Sequence, residues 1–186
     1  METSTRNVKK WVRHLGALGV ETLHFAKALG ERRYTSDRLL VMGTPEFEPW
    51  HFVAHLAEEA KRDRRADLIP TLVRWEVPQG SPAHLAVSLS ELSQLTQNQT
   101  LLVVSSCSHS PQLLERVTDA KKRGARIMSV HRDDEDLADI SHEMLSVDPL
   151  RDDHDFDLTQ HLVTDIAPMG VDRQERRRWA RALIHS

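Results

Sequence analysis

The stretch from Leu101 to Val130, LLVVSSCSHSPQLLERVTDAKKRGARIMSV, sets the architecture of this chain. An apolar run breaks into four serines, Ser105, Ser106, Ser108 and Ser110. A proline follows, then Leu113, Leu114, Val117 and Ala120 at helical spacing, then Gly124 and a second apolar run. Such a segment reads as strand, turn, helix, strand. One helix between two strands requires a crossover, so the strands run parallel.

The same alternation extends in both directions. Residues 6–30 read as one amphipathic helix, with Trp11, Leu15, Leu18, Thr22, Phe25 and Leu29 on its apolar stripe and Gly30 as its stop. Arg38 to Gly43 is a buried strand closing on glycine. A helix runs from Glu48 or Pro49 to about Arg62, with proline in its first turn. Thr71 to Val77 is a second strand, and LAVSLSELSQLTQ reads as a helix covering the sheet. The third strand is Thr100 to Ser106, the fourth is ARIMSV and the fifth is His142 to Val147. An acidic loop, DPLRDDHDFD, leads to the helix LTQHLVTDIA. The basic terminal segment DRQERRRWARALIHS reads as a solvated helix packing Trp179 and Leu183 inward.

The expected fold is therefore α/β: a three-layer αβα sandwich around a five-stranded, mostly parallel, flavodoxin-like sheet with flanking N- and C-terminal helices. The length of 186 residues suits a single domain over 1–186: an N-terminal helix in 1–37, the α/β core in 38–147 and C-terminal helices in 148–186.

Bulk properties narrow the function. A formal net charge of −3 supplies no nucleic-acid footprint. No apolar segment is long enough to span a membrane, and METSTRNVKKWVRHLG lacks the apolar centre of a secretory signal. The single cysteine, Cys107, excludes an internal disulfide framework. A cytoplasmic location is expected.

Ligands of open parallel sheets sit outside the strands' carboxyl ends. Two segments lie there, GTPEFEP and SSCSHSP, and they form the default binding site. Serine hydroxyls, backbone N–H groups and a helix N-terminus together can hold a phosphate. Ser110 before Pro111 is equally an ordinary N-cap, so one serine alone would mean little. Separately, His51 and His55 share one helical face, where two imidazoles can approach one ion, although such pairs are commonly surface or capping groups. His161 is a candidate third ligand from another helix.

SSCSHSP, AKKRGA and RIMSV, in that order and spacing, resemble the SIS (sugar isomerase) family. The resemblance implies a phosphorylated sugar as ligand and a homodimer or homotetramer. It places Ser105, Ser106 and Ser110 on phosphate-contacting positions, Ser108 at the family's usual glycine, and Gly43 and Thr44 beside the ligand. Pro45 stands where the family's first loop carries serine. Among SIS proteins the phosphoheptose isomerases are the most similar. In them a His-x-x-x-Glu pair and a later histidine bind zinc. His51 and His161 match the histidines, and His55 replaces the glutamate. The resemblance thus implies zinc at His51, His55 and His161, and an acid–base pair at His55 and His161. The activity it implies is aldose–ketose isomerisation. A non-catalytic sugar-phosphate sensor or regulatory protein is the alternative, favoured by Pro45, Cys107, Ser108 and the lost glutamate. A flavodoxin-like nucleotide binder would share the architecture but has no recognisable signature here.

Overall fold

The computed structural model describes residues 2–31, 38–80, 87–106, 111–132 and 134–169. Its elements are α1 (Glu2–Leu15), α2 (Ala17–Gly30), β1 (Arg38–Met42), α3 (Trp50–Arg62), β2 (Pro70–Val73), β3 (Gln99–Ser105), α4 (Pro111–Lys122), β4 (Arg126–His131), α5 (Glu135–Ile140), β5 (Glu143–Ser146) and α6 (Asp153–Ile166). The five strands form one sheet in the order β2-β1-β3-β4-β5. Every pairing is parallel, so the "mostly parallel" expectation is met in full.

Alternation along the strands builds two cores. Leu39, Val41, Leu102, Val104, Met128 and Val130 face α1, α2, α3 and α6. Leu40, Met42, Leu101, Val103 and Ile127 face α4, α5 and the short 3-10 helix Leu89–Gln94. The central strands are buried on both sides, which explains their continuous apolar runs.

Several boundaries differ from the sequence reading, among them α6, which begins at Asp153 inside the expected acidic loop. The 6–30 helix is two helices, broken at Gly16 with φ 60. Its apolar stripe is nonetheless real: Thr22 is buried and its hydroxyl donates to the Leu18 carbonyl at 2.7 Å. β2 ends at Val73 rather than Val77, and only an isolated bridge from Arg74 to Ser88 continues it. β5 is Glu143–Ser146, shorter at each end. The helix expected in LAVSLSELSQLTQ is reduced to the 3-10 turn, while residues 85–86 of it lie outside the described residues. The terminal helix expected at 172–186 also lies outside them.

Two close approaches place the helices that matter for the site. A Cβ on Gly19 would sit 2.1 Å from the Val12 carbonyl oxygen, so α1 and α2 fold against each other at glycine. A Cβ on Gly30 would sit 2.1 Å from the Ala167 oxygen, which brings the end of α2 onto the end of α6. The last carbonyls of α2 are met by cations: Arg65 Nη2 donates to Gly30 O at 2.9 Å, and Arg126 Nη1 to Ala28 O at 3.2 Å. The start of α6 is capped by Asp152, whose carboxylate accepts the Asp155 N–H at 2.9 Å.

Candidate functional site

In the strand order, β1 lies between β2 and β3, so the order in which strands are added across the sheet reverses between β1 and β3. The carboxyl ends of these strands border the crevice where ligands of such sheets bind. The loop leaving β1 folds back at once. A Cβ on Gly43 would lie 1.9 Å from the Phe47 carbonyl oxygen and 2.7 Å from Pro49 Cδ, so no other residue fits. Thr44 is buried, and its hydroxyl accepts the Phe47 N–H at 3.1 Å, which closes the turn. Pro45 is exposed.

A cavity of about 480 Å³ opens over this turn. Gly43, Thr44 and Glu48 form one wall, Arg74 and Trp75 from the exit of β2 another, and Gln112 from the first turn of α4 a third. The wall is held by two bonds. Trp75 Nε1 donates to Gly43 O at 2.8 Å, and Arg74 Nε donates to Glu48 Oε2 at 3.0 Å. Ser105 is the last residue of β3, fully buried, and its carbonyl accepts the Arg132 N–H at 3.3 Å. Ser106 follows it, half-buried. Neither serine lines the 480 Å³ cavity. Ser108 and Ser110 lie outside the described residues, as do Cys107 and His109.

The histidines occupy a neighbouring groove between α3 and α6. Its cavity, about 270 Å³, is lined by Phe47, Trp50, His51, His55, Asp157 and His161, with Glu48 at its edge. His161 of α6 lies against His55 of α3. The ring centroids of His55 and His161 are 4.7 Å apart, edge to face, and those of His51 and His55 are 6.1 Å apart, nearly parallel. The His51 ring also lies against Trp50, at 3.7 Å. Burial, and then His55, hold His161 below the ordinary imidazole value. One turn further, burial raises Asp165 above the ordinary carboxylate value, against the pull of His161, Arg62 and His55. A neutral imidazole beside a second imidazole can accept a proton while its neighbour donates one.

Among the described residues no trio of His, Cys, Asp or Glu side chains is placed to hold one metal ion.

Crevice and groove are separate cavities, and Glu48 lines both. The sequence reading missed Glu48, Arg74, Trp75 and Gln112. A signal was present in RWE, where the chain turns polar immediately after a short apolar run. His131 was also missed. It is buried at the end of β4, opposite Ser105 in register, and its Nδ1 accepts the Asp134 N–H at 3.2 Å.

No protein-family model matches the chain, and no curated protein matches it by sequence. Solved structures do match in three dimensions. The NanR protein of Vibrio vulnificus complexed with ManNAc-6P superposes with a TM-score of 0.57 at 16% identity, covering 99% of this chain and 66% of that one. A candidate phosphosugar isomerase from Silicibacter pomeroyi gives 0.55 at 12% identity, covering 98% of this chain and 54% of that one. A hypothetical protein gives 0.53 at 14% identity, covering 97% and 93%. The chain thus spans less than two thirds of the length of the first two. The fold shared with these structures is a five-stranded, all-parallel sheet between helical layers. No helix among the described residues is long and apolar enough to cross a membrane.

Proposed function

We propose that this SIS-like chain binds a phosphorylated sugar in the crevice at the carboxyl ends of β1, β2 and β3. The observation that carries the reading is the 480 Å³ cavity at the reversal of strand order, built on Gly43 and Thr44. Its likeness in fold to NanR, solved with ManNAc-6P, and to a candidate phosphosugar isomerase supports the ligand class. In this reading the phosphate sits beside the cavity, at Ser106, Ser108, Ser110 and the N-terminus of α4, with buried Ser105 supporting the turn, while the sugar extends over Gly43 and Thr44. The chain acts in the cytoplasm as a homodimer or homotetramer. Thermal unfolding with N-acetylmannosamine 6-phosphate, sedoheptulose 7-phosphate and glucose 6-phosphate tests it. Saturable stabilisation by at least one is expected. No shift with any of them sinks the reading.

A second reading, aldose–ketose isomerisation of the phosphoheptose type, is favoured by the 4.7 Å pairing of His55 with a His161 whose basicity is lowered by burial. One imidazole would remove the C2 proton of the open-chain aldose, giving an enediol. The other would move the hydroxyl proton, and return of a proton to C1 would give the ketose. The sugar would have to pass Glu48 to reach the groove. No step is routed through zinc. Incubation in heavy water, followed by NMR, distinguishes this enzyme from a sensor. An isomerase yields ketose and carbon-bound deuterium, whereas a sensor binds and leaves the sugar unchanged.

A further inference from the structure

We propose that Arg74 and Trp75 form a second contact point in the crevice, selecting a sugar phosphate that carries a carboxylate at the end remote from its phosphate. The inference rests on the phosphosugar reading above.

Arg74 is the one cation among the described residues that line the cavity. Its backbone is fixed: its N–H donates to Val87 O at 2.9 Å, extending β2 beyond its last paired residue. Its side chain is fixed through Nε, held by Glu48 at 3.0 Å. That bond uses one of the five guanidinium donors and orients the plane. The edge formed by the two Nη atoms suits a planar acceptor taken by two parallel bonds, the geometry of a carboxylate. Trp75 stands next to it with its indole N–H tied to Gly43 O, so the ring is a fixed wall against which the C–H face of a sugar can lie.

The place of the phosphate in that reading decides which end of the ligand Arg74 meets. β2 and β3 flank β1, so their exits are two strand spacings apart, about 10 Å. The phosphate belongs on the serine side in this reading, and the far end of the sugar falls at Arg74. Glu48 and Glu76 also line the cavity. They repel an anion everywhere except where the guanidinium faces it, which makes the second charge position-specific.

Calorimetric titration of the full chain with 6-phosphogluconate, glucose 6-phosphate and fructose 1,6-bisphosphate tests the proposal. The expected result is that 6-phosphogluconate binds about tenfold tighter than glucose 6-phosphate, the worth of one charge-assisted pair. Arg74→Gln should bring that ratio close to one. Arg74→Lys, which keeps the charge and loses the fork, should reduce it. Thermal unfolding of each variant verifies that it folds, and the lysine variant serves if the glutamine variant does not. Equal affinity for 6-phosphogluconate and glucose 6-phosphate overturns the proposal, and so does a ratio unchanged in Arg74→Lys. Bisphosphate binding as tight as 6-phosphogluconate overturns the carboxylate assignment. Failure of all three sugars to bind removes the phosphosugar reading itself, and this inference with it.

Discussion

The indole N–H of Trp75 donates to the carbonyl of Gly43 at 2.8 Å, joining the exit of β2 to the exit of β1 across the mouth of the crevice. Gly43 has no room for a side chain and Trp75 fills the space beyond its carbonyl, so the two positions depend on each other. Trp75→Phe keeps the ring and removes the bond. It should lower stability by about 0.5–1.5 kcal/mol, the net worth of a hydrogen bond. Denaturant unfolding measures the loss, and an unchanged midpoint would mean that the bond contributes nothing.

Gly43→Ala is a harsher change. The added methyl would meet the Phe47 carbonyl and the Pro49 ring, both part of the same turn. Backbone must shift, and a loss of about 1–3 kcal/mol is expected. Ligand stabilisation should fall with it, because the turn forms the wall of the cavity. A variant as stable and as responsive to ligand as the parent would contradict the tight turn.

Ser106→Ala probes the serine turn without disturbing the core, since Ser106 is only half-buried. Loss of one hydrogen bond to a charged phosphate should weaken sugar-phosphate binding about tenfold or more, with little change in the unfolding temperature. Equal affinity would remove Ser106 from the site.

His142 gives a pH signature remote from the histidine groove. Burial, and then the charge of Lys121, hold it below the ordinary imidazole value of 6.5. Its Nδ1 accepts the Ile127 N–H at 2.9 Å, a role open only to an unprotonated nitrogen. The unfolded chain therefore takes up a proton here before the folded one does. The His142 contribution is full above pH 6.5 and is lost as pH falls from there through the lower folded value. His142→Asn offers an acceptor and does not titrate, so it should flatten the stability curve in that window. Identical curves for parent and variant would rule the assignment out.

Metal removal separates crevice from groove. Because the described donors form no metal-holding trio, chelation should leave sugar-phosphate affinity unchanged. Metal analysis after purification, repeated on His51→Ala and His161→Ala, provides the control. Stoichiometric zinc that disappears in both variants would show the histidines rearranging to bind it.

The sheet was legible because its central strands are buried on both faces. LLVVS and RIMSV leave no other period to read, and glycine or proline marks their ends. The break at Gly16 was not legible, since the apolar stripe continues through it on both helices and only the positive φ divides them. β2 was overextended because Trp75 and Val77 mimic strand alternation, whereas Arg74 already leaves the paired sheet. Helical phase put His51 and His55 on one face, whereas His161, on another helix, was matched to the site through the family resemblance. The partition of crevice from groove could not be anticipated, because it depends on how a seven-residue loop, 43–49, folds over its own glycine.

That partition has a consequence for how the chain can change. Glu48 is a wall common to two chambers, and Arg74 holds it in place from one of them. A shorter residue at position 48 would enlarge both rooms together and free the guanidinium. A bulkier one would narrow both. Neither chamber can be resized through this residue without altering the other, so a change in the space open to a ligand on one side would be accompanied by a change in the shape of the histidine groove.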